Sequence, residues 1–149
     1  MGPPALGRMV AARLGAAPDA ACLFFSVGSL KAAVLSENPI LSGAAAEQEA
    51  AEAARRQAMP RAVAIAVVGR TVRVLPATTR GEVAGDAMLT LPAGSFRARA
   101  SRTTFTVPLT LGVDERTLQF EAKKFPVGVN SHNARIADLI VSLSDSTSP

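Results

Sequence analysis

Tryptophan and tyrosine are absent from this 149-residue chain, cysteine and histidine occur once each, and aromatic residues amount to only 4%. Each scarcity excludes something. Cys22 alone cannot close an internal disulfide, and a single thiol fits a reducing compartment. His132 is the only imidazole, and nothing near it in sequence supplies the several converging ligands that a metal site needs. The core has to be aliphatic, with six phenylalanines as its largest pieces. A stacking platform for single-stranded nucleic acid would set exposed aromatics beside basic residues. Only Phe96 beside Arg97 approaches that, and strand alternation sends the two to opposite sides. Glycine-rich phosphate loops are missing, since no spacing matches the nucleotide-binding fingerprints. Long apolar runs are missing as well: Ala20–Leu35 is the most apolar stretch, too short to span a bilayer and interrupted by Lys31. Arg8 and Arg13 ahead of Asp19-Ala20-Ala21-Cys22 faintly resemble a lipoprotein cleavage site. Asp19 stands where an apolar residue is wanted, and no clean apolar run precedes it, so a cytoplasmic location is expected.

What is present is enough chain for one domain, which at this length buries about 70% of its unfolded surface. The net charge is +4, and its distribution is uneven. Residues 1–60 carry five basic and five acidic side chains, whereas residues 61–149 carry eleven basic against seven acidic. The excess is mostly arginine: Arg70, Arg73, Arg80, Arg97, Arg99, Arg102 and Arg116. Such an excess attracts anionic partners without specifying one, and it falls short of a nucleic-acid footprint.

Periodicity divides the chain into an N-terminal helical, Ala-rich region (1–60), a β-rich region with a closing helix (61–143) and a polar tail (144–149). Residues 3–15 read as a short helix, with Leu6, Val10 and Leu14 at i+4 spacing and Gly15 as its stop. Residues 21–27 read as a buried strand, and residues 29–41 are ambiguous before Pro39. Residues 43–58 form a helix by propensity, being mostly alanine with Glu, Gln and Arg. Beyond Pro60, Ala62–Val68 and Thr71–Leu75 are strands joined by Gly69-Arg70, a good hairpin signal. After a loop over 77–85, residues 86–91 alternate weakly, with Ala87, Leu89 and Leu91 on one side. Ser95–Ala100 puts Phe96, Ala98 and Ala100 on one face and Arg97 and Arg99 on the other. Phe105, Val107, Leu109 and Leu111 alternate with threonines and Pro108, and Leu118, Phe120 and Ala122 alternate with polar residues. Ser131 can cap a last helix whose apolar stripe is Ile136, Leu139, Ile140 and Leu143.

This order of elements resembles bacterial pleckstrin-homology-like domains, specifically an actinobacterial type in which an Ala/Gly-rich segment ends in Pro before an apolar strand, a tight turn and a basic second strand. The matching residues are Met59-Pro60, Ala62–Val68, Gly69-Arg70 and Thr71-Val72-Arg73-Val74-Leu75. They continue with Val107-Pro108-Leu109-Thr110-Leu111, the turn through Gly112 and Asp114, Leu118-Gln119-Phe120-Glu121 and the helix over 131–143. The resemblance covers residues 61–143. It implies a mainly β (α+β) fold: a bent, near-closed β-barrel of six to seven antiparallel strands with the last helix plugging one end. Six strands follow Pro60, and residues 21–27 can supply the seventh. The resemblance also implies a binding module for proteins or lipid head groups. The phosphoinositide-binding version has a longer basic loop between its first two strands, ending in basic-x-Arg. Here that loop is Gly69-Arg70, and the only Arg-x-Arg is Arg97-Ala98-Arg99.

The expected function is therefore non-catalytic docking on a protein partner or an anionic lipid surface, with no cofactor and no nucleic acid; the oligomeric state is left open. Candidate binding residues are Arg70, Arg73, Arg97, Arg99 and Arg102, whose guanidinium groups can fork onto phosphate or carboxylate oxygens. The plain alternative is a solvated strand face that discourages edge pairing. A small-molecule-binding barrel with a helical lid is a second reading. An enzyme ranks last: Asp114 and Glu115 diverge as turn neighbours, and Cys22 with His132 could form a nucleophilic pair only if the fold joined them.

Overall fold

The computed structural model describes residues 3–26, 55, 59–103, 106–123 and 132–144. The ambiguous stretch at 29–41, the Ala-rich helix apart from Arg55 (which is helical), Phe105, Ser131 and the end of the tail lie outside them. The elements in order are α1 (Pro3–Leu14), β1 (Ala20–Ser26), β2 (Ala62–Val68), β3 (Thr71–Ala77), β4 (Leu89–Pro92), β5 (Arg97–Ala100), β6 (Thr106–Val113), β7 (Arg116–Lys123) and α2 (His132–Ser142).

The sequence of β2, Ala-Val-Ala-Ile-Ala-Val-Val, sorts large and small side chains by parity. Val63, Ile65 and Val67 face the main core, and Ala62, Ala64 and Ala66 face the other way, all of them buried. Small residues on that second face let α1 lie close to the backbone, so Leu6 and Val10 pack on Ala64, Ala66 and Leu75. The main core collects Phe24 of β1, Val72 and Val74 of β3, Leu91 of β4, Phe96, and the inward residues of β6 and β7.

All pairings are antiparallel, and the strands form one sheet in the order β4-β3-β2-β1-β7-β6-β5. Two meanders, β2–β4 and β5–β7, are thus joined in the sheet through β1 among the described residues. That strand runs along β2 from Ala20↔Val67 to Phe25↔Ala62, and among the described residues it meets β7 at Phe25↔Glu121 and Ser26↔Phe120. Ser26, buried at the joint, donates from its hydroxyl to Pro60 O at 2.7 Å and from its amide to Arg61 O at 2.9 Å. The β2–β3 turn needs a left-handed residue, and Gly69 supplies it at φ 61 while its N–H donates to Asp19 Oδ2 at 2.6 Å.

The expected near-closed barrel does not form. β4 and β5 are the two margins of an open sheet and do not pair with each other. Each has only four residues, and Pro92 ends β4 without an N–H to donate. The connection between them turns towards α2, with Gly94 N donating to Leu143 O at 2.9 Å and Phe96 entering the core. The closing helix packs over β5, β1 and β6 as an apolar lid on the main core.

Two finer expectations also change. The buried arc of α2 is Ala134, Ile136, Ala137 and Ile140, continued by Leu143, while Leu139 is 38% exposed. Two alanines allow close approach on their side, which rotates the helix and leaves Leu139 at the solvent margin. Ala87 packs with the α1 cluster instead of joining Leu89 and Leu91, because regular strand geometry begins only at Leu89.

This rotation of α2 sets unequal costs for two neighbouring truncations. Ile140→Ala should lower unfolding stability by about 2–5 kcal/mol. Leu139→Ala should stay within about 0.5 kcal/mol. Urea denaturation of both variants checks this, and equal losses would contradict the helix orientation.

Candidate functional site

The alternation Arg97-Ala98-Arg99-Ala100 becomes strand geometry as expected, while Ser95 and Phe96 precede the strand as a bend. Phe96 is buried, Ala98 and Ala100 are half-buried against the core, and Arg97 and Arg99 are exposed on the opposite face. The register sets Arg97 across from Gly112 and Arg99 across from Thr110. Continuing the ladder, Ser101 N donates to Pro108 O at 3.1 Å and Thr103 N to Thr106 O at 3.0 Å. Hydrogen-bonded pairs in an antiparallel ladder alternate. The backbone groups of Arg97 and Arg99 therefore face β6, and those of Ala98 and Ala100 point off the open margin.

The outward faces of β5, β6 and β7 border a broad open depression of about 1070 Å³. Arg97 and Arg99 line it with Thr110 and Gln119, Asp114 and Glu115 sit at its β6–β7 turn, and Ser142 lines it from α2. Neither the Arg97 nor the Arg99 side chain has an ion-pair or hydrogen-bond partner among the described residues. The chemistry on offer is two free guanidinium groups at i,i+2 beside an unpaired strand margin.

The other candidate arginines are placed differently. Arg102 pairs with Asp138 of α2, and that pair borders a smaller cavity of about 160 Å³ lined also by Ala100 and Val107. Arg73 lies on β3, in register with Ala66 and Thr90, half-buried and with its Nε shielded from solvent and without a hydrogen-bond partner among the described residues. In strand order β2, β1, β7 and β6 separate it from β5. Arg70 is exposed at the β2–β3 turn, where its carbonyl accepts from Ala93 N at 2.7 Å. Of the five, only Arg97 and Arg99 stand side by side. Sequence reasoning missed Asp138 as the partner of Arg102, and it missed the outward backbone of Ala98 and Ala100, which becomes readable only once the β5–β6 register is known.

Cys22 and His132 both lie where the start of α2 meets β1, yet they are not partnered. The Cys22 thiol donates to Asn133 Oδ1 at 3.0 Å, and His132 Nε2 lies 3.4 Å from Ala21 O. Asn133 Nδ2 in turn donates to Lys123 O, so this amide ties α2 to both β1 and β7. Burial pushes the thiol far above its ordinary value, which suppresses the thiolate. Among the described residues no cluster of three or more His, Cys, Asp and Glu could hold a metal ion, and no helix is long and apolar enough to cross a membrane.

Cys22 should resist a disulfide exchange reagent in the folded protein and react at once in denaturant; native-state labelling at the rate of free cysteine would contradict its burial. No protein-family model matches this chain, and no curated protein is significantly similar to it.

Proposed function

We propose that this chain is a non-catalytic interaction module of the pleckstrin-homology-like type, which docks an anionic partner on the outward face of β5 through Arg97 and Arg99. Seven antiparallel strands followed by a C-terminal helix agree with the element order of that family, although the sheet is open. The observation that carries the docking role is the exposed pair Arg97/Arg99, which borders the depression and has no ion-pair partner among the described residues. Arg102 and Arg13, by contrast, each meet a carboxylate, Asp138 and Asp86. The filled interior favours docking outside over a ligand inside: Phe24, Phe120, Ile65, Leu109, Leu111 and Leu118 are all under 2% exposed.

The test is binding to two anionic probes, polyglutamate and phosphatidylserine vesicles, at low and high salt. An arginine face gives salt-sensitive binding to at least one of them. The double substitution Arg97→Ser/Arg99→Ser should weaken that binding by about tenfold. Unchanged affinity in a folded double variant would reduce the pair to a solvated strand face.

A further inference from the structure

The two margins of the sheet are not equivalent. On β4, Ala93 N donates to Arg70 O, so Leu91 and Leu89 face β3, and Thr90 and Pro92 point outward. Pro92 has no N–H, which blunts that margin. On β5 the outward residues are Ala98 and Ala100, and each keeps both an N–H and a C=O with no other partner among the described residues. This margin can take a strand.

The geometry points to an added strand of alternating acidic and apolar residues, supplied by an extended protein segment and hydrogen-bonded to Ala98 and Ala100. The inference rests on the docking role proposed above and names its partner. Arg97 and Arg99 bond to β6, so relative to an incoming strand they occupy non-hydrogen-bonded positions, where cross-strand side chains come closest. Carboxylates opposite them complete two charge-assisted pairs. On the other face, residues opposite Ala98 and Ala100 turn towards the core side, where the cavity of about 160 Å³ at Ala100 and Val107 has room for a small apolar side chain. The same arginines disfavour two of the registers in which a second copy of this chain could pair. Pairing two β5 strands about Ala98 or Arg99 sets Arg97 against Arg99, or Arg99 against itself, and like charges directly opposite are unfavourable. The arginines thus disfavour self-pairing in those registers while selecting an acidic strand.

The probe is a short peptide alternating glutamate and valine, compared with a block peptide of the same composition. Two backbone-methylated forms are added, one N-methylated at the valines and one at the glutamates. Valine N–H groups would face β5 and glutamate N–H groups would face solvent. Fluorescence anisotropy should show the alternating peptide binding about tenfold tighter than the block peptide. Methylation at valine should remove binding, and methylation at glutamate should preserve it. A folded Ala98→Pro variant should lose the alternating peptide too; if that variant does not fold, the methylated pair decides. Equal binding of the two methylated peptides, or of the alternating and block peptides, overturns strand addition and leaves salt-sensitive docking standing. Strong binding to phosphatidylserine vesicles without peptide binding overturns it in favour of a lipid surface. If no acidic probe binds, both the strand and the docking role fall. Dimerisation of the protein alone through β5 in a register centred on Ala98 or Arg99 would contradict the charge argument.

Discussion

The joint at Phe25 and Ser26 is the constraint on which the rest depends. Each meander has one inward face of large aliphatic side chains, and neither can bury that face alone. β1 brings them together by pairing with β2 along its length and, among the described residues, with β7 at Phe25 and Ser26. Ser26 reinforces the joint from both its side chain and its backbone, which matters because an unpaired polar group buried there would be costly. With the halves joined, their inward faces and α2 enclose one core, and Phe24 and Phe120 from the two joined strands lie within it.

The helices depend on that sheet in different ways. α1 rests on a second face made of small residues, so its contribution comes from close approach to the backbone more than from large side chains. α2 supplies Ile136, Ile140 and Leu143 to the main core and is tied by Asn133 to β1 and β7. Cys22 and His132 serve that tie, the first by donating to Asn133 and the second by its approach to Ala21 O. Their closeness comes from how α2 is seated on β1.

Much of the strand content was legible because alternation in β5, β6 and β7 is strict and each of those strands buries one face. The hairpin at Gly69-Arg70 was legible because a short glycine turn between β-branched runs has few other conformations. What was hidden depends on partners distant in sequence. The central position of β1 cannot be read from Ala-Cys-Leu-Phe-Phe, since an all-apolar run says it is buried and nothing about its neighbours. Leu139 matched the stripe by spacing, yet two alanines moved the contact face away from it. At the site, Arg97 and Arg99 were readable by parity. The ion pair Arg102–Asp138 was not, because it joins a loop to a helix. The resemblance suggested a sealed barrel, but the shortness of β4 and the position of Pro92 leave the sheet open.

Pro92 has a further consequence for the solubility of many copies together. A filament grown by sheet extension needs a second receptive rim on every copy, so that each added molecule offers a template for the next. Here one rim lacks a donor at proline, and the other meets its own image with matching positive charge. Both rims thus carry a feature that disfavours growth by this route.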